Sequence, residues 1–199
     1  MHAIQSLDQL PSIEQVRTIL KGLALLDAVL SPEWDYRYFS YNARWVQDGS
    51  EAMASMRDGC GSEYFVLFDE VGVAGKVYST DAADETDNPD LIPEIFSGFR
   101  NEPAFSVQFA TFYFWRGKND ASWAGQPTAA NDYHLLRFIV DGPDYYHAWA
   151  EAYYERSIDL DTVLEVYHSG TLTRDQAFQL APDLVYADLT EDIAEITGV

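Results

Sequence analysis

Between residues 36 and 78, apolar residues recur at every second position in short runs. The links between these runs are too short to hold a helical crossover. Parallel neighbours need a crossover of a dozen residues or more, so the runs must pair antiparallel, as a meander. In the first run Phe39, Tyr41, Ala43 and Trp45 line one face, and Tyr36, Tyr38, Ser40 and Asn42 the other. Ala52 to Arg57 is the second run, closed by the turn sequence Asp58-Gly59-Cys60-Gly61. Glu63 to Phe68 is apolar on both faces, the mark of a central strand covered on both sides. Val71 to Tyr78 is the fourth run, and Val107 to Arg116 reads as a further strand.

Helical patterns flank this region. Ser12 and Gln15 form a capping box, in which the serine caps and the glutamine reaches back. Ile13, Val16, Leu20 and Leu23 follow at helical spacing, and Ser31-Pro32 stops the helix after Leu30. Past Trp123 the spacing predicts a helix over Asp132 to Val140, then a second that starts at Pro143. A third is capped by Asp159 and ends at Gly170. A second capping box at Thr173 to Gln176 and a cap at Thr190 begin the last two. Helix, then sheet, then helices is the α+β order. The expected fold has an N-terminal helix, an antiparallel sheet of about five strands (36–78 plus 107–116) and a helical C-terminal third. One domain over residues 1–199 is expected, because neither half beside the polar stretch 79–93 looks self-sufficient.

Charge bounds the partners. The chain holds 33 acids and 12 bases, a net charge of −21, yet 47% of it is apolar, enough for a core. The excess is uneven. Residues 51–100 carry 11 acids and 3 bases, and residues 151–199 carry 11 and 2. Such a field repels nucleic acid and anionic membranes and steers basic partners inward. The N-terminus lacks a basic region followed by an apolar run, and Lys21 and Asp27 interrupt the longest apolar helix. A cytoplasmic protein with no membrane segment is the expectation. The single cysteine excludes an internal disulfide.

Catalytic patterns are weak. Cys60 lies on a glycine turn with Arg57 nearby in sequence, but no signature of a nucleophilic cysteine surrounds it. His147, Glu151 and Glu155 recur every four residues on one helix, yet a third metal ligand is missing from the pattern. His134 reads as a partly buried structural residue, and His168 complements a helix C-terminus. The acidic stretch Asp81, Asp84, Glu85, Asp87 and Asp90 fails the calcium-loop spacing, because Pro89 stands where that loop needs glycine. Gly72, Gly75 and Lys76 lack phosphate-loop spacing. No cofactor is expected.

Two binding surfaces remain. The residues Asp81, Asp84, Glu85, Asp87 and Asp90, with the acidic C-terminal helices, offer a docking surface for a basic protein partner. Alternatively, the aromatic residues line a pocket for a small ligand or substrate, with Arg57, Glu63 and Lys76 as its polar groups. Trp34, Tyr36 and Tyr38 would share one strand face there, while Tyr145, Tyr146, Trp149, Tyr153 and Tyr154 crowd one helix. A third reading, a nucleic-acid mimic, requires carboxylates spaced like phosphates along one edge.

Met53 to Phe68, together with Glu102 to Phe105 and Tyr113 to Trp115, resembles a family of uncharacterised bacterial cytosolic proteins. At the level of fold the chain is also similar to SUKH-type bacterial immunity proteins, acidic α+β domains that bind toxins. The second resemblance implies a non-catalytic binding role, with a basic toxin as the partner.

Overall fold

The computed structural model describes residues 6–82, 88–126 and 130–199. Helix α1 (Ile13–Leu30) starts at the predicted capping box, with Ser12 accepting from the Gln15 backbone N–H and Gln15 reaching back. The meander follows as β1 (Phe39–Asn42), β2 (Ala52–Arg57), β3 (Glu63–Phe68) and β4 (Gly72–Tyr78). A short helix α2 (Ser97–Arg100) precedes β5 (Phe112–Gly117) and β6 (Ala124–Gly125). Helices α3 (Arg137–Val140), α4 (Pro143–Tyr154), α5 (Leu160–Ser169), α6 (Arg174–Leu180) and α7 (Thr190–Thr197) complete the chain.

The sheet has the order β1-β2-β3-β4-β5-β6, and every pair is antiparallel. Six strands stand where about five were expected. The extra one is a two-residue pairing of Ala124 and Gly125 with Trp115 and Phe114, too short to show any period. The strand expected over 107–116 begins only at Phe112. Val107 leaves the ladder and buries itself beneath the sheet instead, while Ala110, also buried there, keeps only a single bridge. The helix expected over 132–140 is a 3-10 stretch (Ala130–Leu136) running into α3. Thr190 does not cap α7 from outside; it is the first helical residue, behind a 3-10 turn at Tyr186–Leu189.

Alternation splits the strands between two cores. On one face Phe39, Tyr41, Met56, Tyr64, Val66, Phe68 and Phe112 pack against α1 and the C-terminal helices. On the other, Met53, Leu67, Ala74 and Tyr113 meet Ile92, Phe96, Phe99 and Phe105. This double cover explains why β3 reads apolar on both sides.

Helix α1 is buried nearly all round from Gly22 onward and crosses α5. The backbones approach so closely that a Cβ on Gly22 would stand 2.6 Å from the Val166 carbonyl oxygen and 3.0 Å from Tyr167 Cα. Neither atom can swing aside as a side chain can. Gly22→Ala is therefore expected to destabilise by about 2 kcal/mol, despite alanine's higher helix propensity, with Tm falling by about 4–8 °C. A thermal melt checks this, and a Tm at or above the parent's would mean that α1 and α5 separate freely.

Candidate functional site

Of the predicted acidic stretch, Asp81 and Asp90 are exposed; Asp84, Glu85 and Asp87 lie outside the described residues. The other trio divides. Lys76 is fully buried. Its ammonium donates to Glu63 Oε1 at 2.9 Å, to the Phe109 carbonyl at 3.0 Å and to the Ser106 carbonyl at 3.2 Å. All three donors are thus used, and the Phe65 ring lies 5.5 Å away. Lys76, held by Glu63, ties the 106–109 segment to the sheet and has no donor left for a ligand, while Glu63 spends one carboxylate oxygen on it. Arg57 pairs with Glu63 in the strand register, but its guanidinium lies 4.8 Å from the centre of the Trp34 ring.

The remaining chemical candidates have local structural work. Cys60 is exposed, and its backbone N–H donates to Asp58 Oδ1 at 2.7 Å, as the Ser62 N–H does at 2.9 Å. His147 Nε2 lies 2.8 Å from the Ile158 carbonyl and 3.5 Å from Glu151. Glu151 accepts in turn from the Ile158 N–H, so the pair closes the α4–α5 link. Among the described residues no group of three or more His, Cys, Asp or Glu is arranged to hold a metal ion. Gly72 and Gly75 belong to β4, not to a loop.

Asp27 appears in the sequence only as a charge interrupting an apolar helix. In the fold it is a fully buried junction. Its Oδ2 accepts from the backbone N–H of Tyr38 at 2.8 Å and of Phe39 at 3.0 Å, and its Oδ1 from the Tyr146 hydroxyl at 2.9 Å. One carboxylate thus ties α1 to β1 and α4. Burial pushes its carboxyl up to about 6, against the pull of those hydrogen bonds. The signal in the sequence was the acid itself: an aspartate amid continuous apolar residues demands buried donors.

Just outside this junction lies a cleft of about 400 Å³, lined in part by Trp34, Tyr36, Tyr38, Tyr153 and Arg57. Trp34 and Tyr36 belong to a 3-10 turn (Trp34–Tyr36), so they do not share a strand face with Tyr38, as alternation predicted. Arg37 fixes this turn. Its guanidinium donates to the Ser31 carbonyl at 2.7 Å, to the Pro32 carbonyl at 2.8 Å and, bidentate, to Asp192 of α7 at 2.8 and 2.9 Å. Trp34 is left 52% exposed and Tyr36 62% exposed. The opposite wall is a ring stack: Tyr38 lies 4.6 Å from Trp149 and 4.8 Å from Tyr153, and Trp149 stacks on Tyr153 at 5.1 Å. Burial, with Tyr153 and Asp58 nearby, pushes the Tyr38 hydroxyl up to about 12, so it stays protonated.

The acids of the C-terminal helices are mostly unneutralised. Of the 11 in residues 151–199, only Asp192 and Glu151 enter an ion pair among the described residues. The two bases of this stretch lie beside aromatic rings instead. Arg174 is 5.5 Å from Phe178 and 5.3 Å from Tyr186, and Arg156 is 5.9 Å from Tyr154. Asp161, Glu165, Asp175, Asp183, Asp188, Glu191 and Glu195 are all exposed.

Among the described residues no helix is long and apolar enough to cross a membrane. No protein-family model, curated protein or solved structure matches the chain.

Proposed function

We propose that this chain is a non-catalytic binding protein that docks a basic protein partner, with a toxin held by its immunity protein as the sharpest form of the idea. The observation that carries it is the uncompensated acid of residues 151–199, whose only two bases lie beside rings. Exposed carboxylates with no internal partner keep their full field, which speeds and orients the approach of a cation-rich surface. Arg57 in the aromatic cleft favours a second reading, a small-ligand site. That reading is weakened because Glu63 and Lys76, its other polar groups, satisfy each other outside the cleft.

The test is capture by the immobilised protein from the native host at about 20 and about 200 mM salt, a change that shortens the Debye length several-fold. A basic protein should be retained at low salt, released at high salt, and lost from a variant carrying Asp161→Lys, Glu165→Lys and Asp188→Lys. Retention of no protein under either condition removes the proposal.

A further inference from the structure

The aromatic cleft has chemistry that acidity alone does not explain. Among the described residues, three of the eight exposed large hydrophobic side chains, Trp34, Tyr36 and Tyr153, gather around it. Its walls are set before anything binds: Arg37 clamps the turn at four points, and Asp27 holds the Tyr38 and Phe39 backbone. A preformed cleft spares an incoming segment the cost of ordering it. Arg57 presents an unspent guanidinium against the Trp34 face, without a side-chain hydrogen bond or ion pair among the described residues.

We propose that this cleft anchors an extended, proline-containing basic segment of the partner, an inference that rests on the basic-partner reading above. Arg57 is exposed and solvated in the free protein, so a segment that covers it must offer acceptors in place of that water. A net charge of −21 works against anionic ones, so they are best supplied by a neutral or cationic molecule. A polyproline II segment meets this condition, because it makes no internal hydrogen bonds and leaves its carbonyl oxygens free. Its proline rings pack on exposed Trp and Tyr faces, and its stiffness lowers the entropy lost on docking. Basic residues in the segment complement Asp35 on the cleft wall and Asp58 beside it. Trp, Tyr and Arg are also the side chains that most often dominate binding energy at protein interfaces.

The experiment titrates the full chain with two synthetic peptides of equal length and charge: Pro-Pro-Arg repeats, and Gly-Ser-Arg repeats. Binding is read by anisotropy of a labelled peptide at low salt. The proline peptide should bind about tenfold or more tightly than the glycine one, and Trp34→Ala and Arg57→Ala should each remove about tenfold of that affinity. Arg57→Lys keeps the charge but loses the planar fork, and should weaken binding nearly as much as alanine. These side chains are exposed, and circular dichroism confirms that the variants fold. Equal binding of both peptides, unchanged by Trp34→Ala, overturns the cleft proposal and leaves charge-driven docking standing. Binding of neither peptide overturns the cleft proposal and argues against the basic-partner reading as well. Trp34-dependent binding of a neutral oligosaccharide, with no preference for proline, assigns the cleft to sugars and also overturns it.

Discussion

Asp27→Ala is expected to remove about 4–6 kcal/mol of stability, a large share of the 5–15 kcal/mol that holds a typical domain folded. The loss follows from what stays behind. The Tyr38 and Phe39 N–H groups and the Tyr146 hydroxyl keep their places but have no acceptor, in a site closed to water. Each orphaned donor costs about 1–3 kcal/mol. Asp27→Asn is expected to be far milder. Its amide oxygen still accepts from the two backbone N–H groups, and its NH₂ can donate to the Tyr146 oxygen.

The asparagine variant also isolates a pH effect. The carboxyl holds its proton up to about pH 6 in the folded protein, against 3.8 for the unperturbed group. Between those values the folded state binds more protons than the unfolded state. Stability therefore falls as pH rises through this window and stays lower above it, by about 3 kcal/mol in total. Self-repulsion among the other acids acts in the same direction, so the difference between parent and Asp27→Asn is the informative quantity. Urea unfolding from about pH 4 to about pH 7 should give the parent a steeper decline, with the two curves diverging by about 2 kcal/mol. Parallel curves would mean that Asp27 titrates in the ordinary carboxyl range.

Lys76→Ala should be the second severe loss, at about 3–5 kcal/mol. It removes a buried cation from Glu63, from the Ser106 and Phe109 carbonyls and from beside the Phe65 ring, and it opens a cavity where the fully buried four-carbon stem stood. Lys76→Met refills most of that volume. The Glu63 side chain is 26% exposed, so water can partly solvate its carboxylate once the lysine is gone. The methionine variant is expected to lose only about 1–2 kcal/mol. Urea melts rank the three proteins. If methionine proves as costly as alanine, the charge pairing, not the packed stem, dominates at this site. Hydrogen exchange should show the weakening first around Phe99 and Phe105, the layer that Lys76 ties to the sheet.

Those parts of the protein whose causes are local were legible in the residues alone. The Ser12 and Thr173 capping boxes, the Asp159 cap and the Gly170 terminus with its left-handed φ of +61° stand where the residues put them. Strands β2 and β3 have the predicted ends, because alternation and the Asp58 to Gly61 turn act over a few neighbouring residues. Net charge and its concentration in residues 151–199 are also sequence properties.

Which side chains meet across the chain was settled by packing between distant segments. Val107 to Thr111 alternate like a strand, but the second face of the sheet needed a cover, and burying Val107 there outweighed extending the ladder beyond a single bridge at Ala110. Glu63 and Lys76 became partners and left Arg57 to Trp34, because a buried ammonium takes every acceptor within reach whereas an exposed guanidinium can lie on a ring. Trp34 and Tyr36 turned outward when Arg37 found Asp192, 155 residues further along the chain. Asp27 gained its role only when α1, β1 and α4 closed around it. Each of these pairings is set by desolvation and by donors and acceptors brought together from distant segments, and neither has a period that a linear sequence can display.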